Sequence, residues 1–513
     1  MIVHLLLAFL LASAGQWPEF RGPTGQGHAS ETGVPLEWSE SRNVVWKTPV
    51  PGRGWSSPVV ADGRVWLTTS TESAEGRRRS VSLRVLAFDI LKGAEVVNTE
   101  VFKIDRPEPL NGKNSYASPT PIVDGSRVYV HFGAQGTAAL TTSGEVVWRT
   151  RLDYQSQHGN GGSPVRFNDL LIINCDGNGG DGDAYVVALD VKTGKTRWKA
   201  ARRYPADQAY TTPLVVRAGD RDQIVSVGAY RTVSYDPANG SEIWRVSYED
   251  GFSNVPRPVY GQGLVFIATG FQQPSLIAVR PDGSGDVTRS HVAWTLRRGA
   301  PLTPSPILVG EQLFIVNDTG IATCVDARTG TIHWQQRLGG NYSASPVYAD
   351  GRIYFPSEEG VTTVIEPGTT FKRLAVNQLD GAILASMAVA DRSFFIRTQS
   401  HLYRIGFPSN PKLQIPSSNA LPNPKLQRTP KSQAPTNSHS QVISHFQAWI
   451  WSLTIHNSLS PRPRDNPGVD RHPGATNHLE VKFVSRHLHE HEVIVLVEAA
   501  GVDRGRHQVS PSQ

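Results

Sequence analysis

The chain has 513 residues, a formal net charge of +6 and two cysteines. Residues 408–513 contain 11 Lys and Arg against 7 Asp and Glu, which leaves 40 basic and 38 acidic residues in the first 407. The nearly balanced first part has no clustered basic stripe of the kind that binds nucleic acid. Two lone cysteines, Cys175 and Cys324, exclude a cysteine-based zinc site and a vicinal-cysteine redox device.

The amino terminus predicts a signal peptide over residues 1–14. An uncharged apolar stretch runs from Leu5 to Ala12, and the small residues Ala12-Ser13-Ala14 follow it. The stretch is too short to span a bilayer, and no cysteine stands at the cleavage point to carry a lipid. We therefore expect a soluble, exported protein of bacterial type in the periplasm or medium; the alternative is a buried N-terminal strand. Residues 15–42 are predicted to be an N-terminal extension.

Two short phrases recur through residues 43–407 at intervals of about 40 to 50 residues, which indicates an array of one supersecondary unit. The first phrase is an Asp, a Gly four residues later and a Trp four residues after that; full copies are Asp190/Gly194/Trp198, Asp236/Gly240/Trp244 and Asp326/Gly330/Trp334. The second is a small or polar residue and a Pro before an apolar run. First strands are predicted to begin near Pro58, Pro119, Pro164, Pro213, Pro258, Pro306, Pro346 and Ser386.

Each unit divides into four short strands separated by turn residues, as the third unit illustrates. Its predicted strands are Ser163–Phe167, Leu170–Cys175, Ala184–Asp190 and Thr196–Ala200. Four antiparallel strands per repeat are the blade of a β-propeller. The pattern predicts an all-β fold, an eight-bladed propeller of four-stranded antiparallel blades.

The eighth unit contains only three predicted strands, and its missing fourth strand lies at the other end of the chain. The segment Val44–Thr48 contains a Trp, resembles a fourth strand and precedes the first repeat. Pairing it with the last blade would remove both free sheet edges. We therefore expect an N-terminal strand to close the ring. The tryptophans of the repeat are expected to pack on the neighbouring blade, each indole N–H bonded to backbone, and are not assigned to a functional site.

The repeat Ala188-Leu189-Asp190-Val191-Lys192-Thr193-Gly194-Lys195-Thr196-Arg197-Trp198 resembles the tryptophan-docking repeat of quinoprotein (PQQ-dependent) alcohol dehydrogenases and of the wider PQQ-like propeller superfamily. The opening Trp17-Pro18-Glu19-Phe20-Arg21-Gly22-Pro23 resembles the leader of secreted bacterial PQQ-like repeat proteins. The resemblance covers residues 17–406. It implies the propeller fold, and PQQ and Ca²⁺ as cofactors to consider. The vicinal disulfide of the dehydrogenases has no counterpart here, and the superfamily also contains an envelope propeller without a quinone.

Polar stretches before the first strands are the candidate ligand site, because these connections converge on one mouth of a propeller's channel. The candidates are Trp55, Tyr116, His158, Asn160, Tyr210, Asn254, Arg257, Asn341 and Tyr342. The alternative is that they cap strands and line a water-filled funnel. No catalytic residue is assigned, since His158 has no carboxylate beside it in the sequence and no nucleophile motif is present.

A Gly-rich loop after the second strand of the third unit is the candidate metal site. Its oxygen ligands suit a hard cation such as Ca²⁺, and they are Asp176, Asn178, Asp181 and Asp183. The spacing does not match an EF-hand, so the alternative is a flexible acidic loop.

Residues 408–513 depart from the repeat pattern and are rich in Pro, Ser, Asn and Gln at first. Such a composition cannot bury a core, so we expect a disordered tail. Taken together, the sequence favours an exported, monomeric binding or scaffolding propeller of the cell envelope that holds a protein, envelope component or small ligand at the channel mouth. The alternatives are a quinone-dependent oxidoreductase and a carbohydrate-binding or carbohydrate-acting propeller.

Overall fold

The computed structural model describes residues 15–75, 78–155, 158–177, 184–202, 208–249 and 251–407, together with one pair of short strands in the tail. Within residues 15–407 it is an eight-bladed β-propeller, which confirms the predicted fold. Residues Met1–Ser417 and Ser418–Gln513 are separate compact units. In the second unit, the described part is Phe483–Val484 paired antiparallel with Leu496–Val497. The predicted signal peptide and most of the predicted disordered tail lie outside the described residues.

Every blade has four antiparallel strands, and in blades 1 to 7 these four follow one another in the chain from the channel outwards. The strands of blades 1 to 4 are Val59–Ala61, Arg64–Glu75, Arg78–Asp89 and Glu95–Ile104; Ile122–Asp124, Arg127–His131, Thr137–Thr141 and Val146–Thr150; Val165–Phe167, Leu170–Cys175, Tyr185–Asp190 and Thr196–Ala201; and Leu214–Ala218, Arg221–Val227, Arg231–Tyr235 and Glu242–Ser247. A 3-10 turn, Gly133–Gln135, lies between the second and third strands of blade 2.

Blades 5 to 8 repeat this order, with one added strand. Their strands are Val259–Gly261, Leu264–Thr269, Ser275–Val279 and Val292–Leu296; Ile307–Val309, Gln312–Val316, Ile321–Asp326 and Ile332–Arg337; Val347–Ala349, Arg352–Pro356, Val361–Glu366 and Lys372–Gln378; and Ala388–Ala390, Ser393–Arg397, His401–Ile405 and Val44–Pro49. The added strand, Gly285–Asp286, pairs in parallel with the outer strand of blade 4, so that part of blade 5 extends its neighbour's sheet.

The N-terminal strand closes the ring as predicted. Val44–Pro49 pairs antiparallel with His401–Ile405, with Trp46 opposite Arg404 and Pro49 opposite His401. One prediction of detail was wrong. The proline that precedes the first strand of blade 2 is Pro121 and not Pro119, because the paired strand is Ile122–Asp124.

Tryptophans of five outer strands fasten their blade to the next. The indole Nε1 of Trp46 donates to Ile90 O at 2.9 Å, and that of Trp148 donates to Val191 O at 3.0 Å. A Cβ built on Gly93 would lie 2.7 Å from the Trp46 ring, so only a glycine lets the ring lie flat on the turn. Trp244 differs, since its Nε1 donates to Gln223 Oε1 at 2.7 Å inside its own blade.

The residues before the repeated prolines, and Ser386 before Met387, form a hydrogen-bonded belt around the channel, which explains why they are Ser or Thr. In six places a hydroxyl accepts the backbone N–H of the equivalent residue in the preceding blade, at 2.9 to 3.0 Å. The members of this hydroxyl belt are Ser57, Thr120, Ser163, Thr212, Ser305, Ser345 and Ser386. The fifth blade has Arg257 at the equivalent position, so the belt is interrupted there.

The rest of the core agrees with a repeat protein. Buried aliphatic residues form clusters between neighbouring sheets. Cys175 and Cys324 are both buried and free, as predicted. Within the part of the chain that the structure describes, no helix is long and apolar enough to cross a membrane.

Candidate functional site

The antiparallel order of the strands sorts the loops onto two faces. The connections between blades, and the loops between second and third strands, emerge on one face, which we call the upper face. The Asp and Gly turns between third and fourth strands lie on the other, the lower face. All nine predicted ligand residues belong to connections between blades, at or near the upper face.

An insertion between blades 1 and 2, residues 105–116, reaches over the channel mouth on the upper face. Lys113 Nζ lies 2.9 Å from Glu358 Oε1 of blade 7, and Arg53 Nη2 donates to Gly112 O at 2.6 Å. On the other side, Asn114 Nδ2 donates to His158 O at 2.8 Å. The insertion is therefore tied to connections on both sides of it.

The same insertion forms one wall of a cleft of about 620 Å³, which we call the upper cleft. Three of the predicted ligand residues, Tyr116, His158 and Asn160, line it together. The other lining side chains that matter here are Glu108, Leu110, Phe132 and Tyr154. Gly133 closes one end of the cleft, since a Cβ there would lie 2.9 Å from the Cβ of Asn160. The structure therefore brings a third of the predicted set to one place.

The upper cleft combines apolar walls with a few polar groups. The Tyr116 hydroxyl donates to Glu108 O. Burial raises the pKa of Tyr154 well above its usual range, and its hydroxyl has no partner among the described residues. His131, directly before Phe132, is fully buried with Nδ1 2.9 Å from Thr137 Oγ1. Burial lowers the pKa of His131 to about 3, so this imidazole is neutral at physiological pH.

The remaining predicted residues on the upper face hold their own loops rather than meeting at the upper cleft. Asn254 is buried; its Nδ2 donates to Gly228 O and Gly251 O, and its Oδ1 accepts from Gly270 N at 2.7 Å. Asn254 O also accepts the backbone N–H of Tyr210 at 2.7 Å.

The other three are similarly placed within their own blade connections. Tyr342 is buried, and burial raises its pKa to about 12. Asn341 Nδ2 donates to Glu359 Oε1 at 3.0 Å. Trp55 lies under the Arg53 guanidinium, 5.7 Å from the ring centre. The cited contacts of Asn341 and Trp55 are with neighbouring residues and not with the upper cleft.

Arg257 lies inside the channel, where the N-terminal extension covers it. Its Nη1 donates to Phe20 O at 2.6 Å, and Nη1 and Nη2 both lie 3.3 Å from Glu19 Oε1. The segment 17–29, here called the channel segment, runs along the inner edges of several first strands. Its backbone or side chains bond to Val60 of blade 1, Val123 of blade 2, Tyr260 of blade 5, Pro306 of blade 6 and Tyr348 of blade 7.

The predicted metal loop is described only in part. Asp176 forms a buried ion pair with Arg202, with Oδ1 2.6 Å from Nε and Oδ2 3.2 Å from Nη2. Burial raises the pKa of Asp176 to about 6, and Arg202 opposes that rise. Asn178, Asp181 and Asp183 lie outside the described residues. Within the described ranges, no group of three His, Cys, Asp or Glu side chains is placed to hold a metal ion.

The described residues do not fit a calcium-bound quinone. The carboxylates near the channel mouth are bonded to neighbours: Asp318 accepts from Leu302 N, Glu359 from Asn341 and Glu358 from Ser343. In the channel itself, the Arg257 guanidinium is occupied by the channel segment.

Sequence reasoning missed two features of the site. The 105–116 insertion follows an outer strand of ten residues, Glu95–Ile104, and that unusual length was the available signal. The second feature is an aromatic cluster of the upper face, in which Phe252 lies 6.3 Å from Tyr230 and 6.0 Å from Phe271. Phe271 is 56% exposed. Its three members come from different loops, so no local pattern in the sequence announces it.

The solved structures that are similar to this chain include the following three. The structure of BamB from Moraxella catarrhalis is similar at a TM-score of 0.50 and 12% identity, over 72% of this chain and 98% of that one. A europium-containing methanol dehydrogenase is similar at a TM-score of 0.42 and 11% identity, over 74% of this chain and 89% of that one. A quinohemoprotein alcohol dehydrogenase from Comamonas testosteroni is similar at a TM-score of 0.40 and 13% identity, over 79% of this chain and 83% of that one.

No curated protein matches the chain in sequence. The family model described as outer membrane protein assembly factor BamB matches residues 29–201 and 285–384. These two ranges span blades 1 to 3, the outer strand of blade 5 and all of blades 6 and 7, and together they cover more than half of the chain. With its PQQ-like repeats arranged as eight blades, this chain belongs to the family described as outer membrane protein assembly factor BamB.

Proposed function

We propose that this chain is a binding propeller of the bacterial cell envelope that holds an extended segment of a partner protein in the upper cleft. The observation that carries the proposal is the upper cleft itself, which joins Tyr116, His158 and Asn160 beside an insertion tied down at both ends. Its volume of about 620 Å³ falls in the usual range of ligand sites. The family description, an assembly factor, supports a protein as the ligand.

The chemistry of the walls suits a peptide. Leu110 and Phe132 offer apolar surface to a side chain, while Asn160 and His158 offer donors and acceptors to a backbone amide. Apart from Glu108, the named walls are neutral, so a neutral backbone can bind against them at little cost in charge desolvation. Export through the predicted signal peptide, residence in the envelope and a monomeric propeller remain part of the proposal.

The test is site-specific photocrosslinking with the full chain in its bacterial host. A photoreactive amino acid replaces His158, and the matched control replaces Leu91, which is 66% exposed on a lower-face turn. We expect one discrete adduct from position 158 and none of that mass from position 91, with the crosslinked peptide mapping to an extended segment of an envelope protein. A synthetic copy of that segment should bind the purified chain at least tenfold more weakly when Asn160 is replaced by Ala.

Equal adducts from both positions, or none from position 158, would refute the proposal. Titration with PQQ and Ca²⁺ tests the oxidoreductase alternative, because a stoichiometric quinone absorbance would favour that function instead.

A carbohydrate ligand is the second candidate, favoured by the aromatic cluster of Tyr230, Phe252 and Phe271 on the same face. Exposed aromatic faces stack on the apolar faces of sugar rings. Glycan binding that is lost in Phe271→Ala and kept in His158→Ala would support this second function and separate it from the first.

A further inference from the structure

The leader motif Trp17–Pro23 places an arginine inside the channel with donors left over. Arg21 is fully buried, and its Nη2 donates to Pro306 O at 2.7 Å and to Gln26 O at 3.0 Å. Its Nε and Nη1 have no partner among the described residues. A buried guanidinium keeps its charge and normally bonds through most of its nitrogens, so two unused ones call for a partner.

The charges around Arg21 do not balance. Arg257 is close enough to lower the pKa of Arg21, which burial and that second cation together bring to about 9. The carboxylate of Glu19 accepts hydrogen bonds from Arg257 and not from Arg21. Burial, and then Arg21, lower the pKa of His28, so that imidazole adds no further positive charge at neutral pH. Two cations and one anion leave one positive charge buried in the channel.

We propose that this surplus charge binds a small monovalent anion of the chloride class, held by Arg21 and in the field of Arg257. Burial of a lone charge is costly, whereas a buried ion pair with remaining hydrogen bonds satisfied is tolerated. An anion that accepts a hydrogen bond from Arg21 Nε or Nη1 supplies both the negative charge and the hydrogen-bond acceptor that the site lacks. The site is separate from the upper cleft and does not depend on the function proposed for it.

The glycines of the channel segment set the size of the ligand. A Cβ on Gly27 would lie 2.8 Å from Arg21 Nη2 and 3.3 Å from Nε, and one on Gly25 would lie 2.3 Å from Arg257 Nη1. Side chains at these positions would therefore displace the guanidinium groups. This close packing of the channel segment on both guanidinium groups favours a single small halide ion over phosphate or a metabolite carboxylate.

The experiment is thermal unfolding of the full chain in sodium chloride, exchanged against sodium gluconate at constant ionic strength. We expect a saturating rise in Tm of about 2–4 °C as chloride replaces gluconate, because a ligand that binds only the folded state stabilises it. Arg21→Met should lose the chloride dependence. Arg42→Met should keep it, because Arg42 lies in the same N-terminal extension with its side chain 63% exposed.

Crystals of the unaltered chain soaked in bromide give a readout that needs no variant, with an anomalous peak expected within hydrogen-bonding distance of Arg21. A Tm that does not respond to chloride at constant ionic strength would overturn the proposal. So would a chloride response that Arg21→Met leaves intact, or a bromide-soaked channel without a peak at Arg21.

Discussion

Replacement of Trp46 by Ala tests how the ring is closed. Trp46 lies on the only described strand that joins the two ends of the propeller, and its indole packs on Gly93 while donating to Ile90 O. The ring is 9% exposed, and its centre lies 6.1 Å from that of Phe395. The substitution therefore removes one contact between blade 8 and blade 1, and it leaves the backbone pairing of the strand with blade 8 in place.

The expected loss follows from the buried surface. An indole buries roughly 200 Å², which at about 25 cal/mol per Å² contributes about 5 kcal/mol. A compact unfolded chain reduces that figure by roughly a quarter, and the indole hydrogen bond adds about 1 kcal/mol. Since Ala keeps the Cβ, we expect Trp46→Ala to lower the free energy of unfolding by about 4 kcal/mol.

Urea unfolding measures the loss, and hydrogen–deuterium exchange locates it. Exchange should rise in Val44–Pro49 and in His401–Ile405, the two strands that close the ring. Trp148→Ala is the matched control, because its indole makes the equivalent bond to Val191 O in a blade whose four strands follow one another in the chain. It should leave exchange in the closing strands unchanged. A loss below about 1 kcal/mol for Trp46→Ala, or a rise in exchange equal in both variants, would refute closure by this contact.

Three further predictions concern the repeat itself. Gly93→Ala should lower the free energy of unfolding by about 1 kcal/mol because of its positive φ, and by more because the new Cβ clashes with Trp46. Gly63 also has a positive φ but faces open space, so Gly63→Ala should lose only the first of these contributions. Equal losses for the two variants in urea unfolding would contradict the clash. Ser345→Ala leaves a buried belt amide without its acceptor and should cost about 1–3 kcal/mol, with Ser345→Thr close to the unaltered protein in thermal unfolding. Hydrogen bonds from Thr193 lower the pKa of Asp190. The ionised Asp190 therefore stabilises the fold above the ordinary aspartate pKa, and this contribution is lost as the pH falls through the lowered pKa. Asp190→Asn should make the free energy of unfolding fall less steeply from pH 6 to pH 2, and parallel curves for the two proteins would contradict this.

The fold was predictable from the sequence because its signals are local. Each turn carries its Asp and Gly within five residues, as Asp190 to Gly194 shows, and the hairpin period fixes the strands around it. Ring closure was also predictable, since the incomplete last blade and the spare strand at Val44 complement each other in the same sequence.

The candidate site was predictable only in part, because its contacts join residues far apart in the chain. Tyr116, His158 and Asn160 meet because the insertion before blade 2 folds towards blade 3. Lys113 and Glu358 meet across the mouth of the ring, and no spacing in the sequence connects them. The reach of an insertion depends on its tertiary contacts and not on its composition.

The channel segment changes how the ring should behave as a repeat protein. In a repeat array each unit contacts its neighbours, and stability is approximately a sum of neighbouring terms. Here Arg21 connects the segment to blade 6 and Arg257 connects it to blade 5, while Val60 fastens it to blade 1. Position 257 is also where the hydroxyl belt is interrupted. Arg257 is therefore both the break in the repeat and an anchor of the segment. Opening any one of these three blades must also break that blade's contacts with the segment.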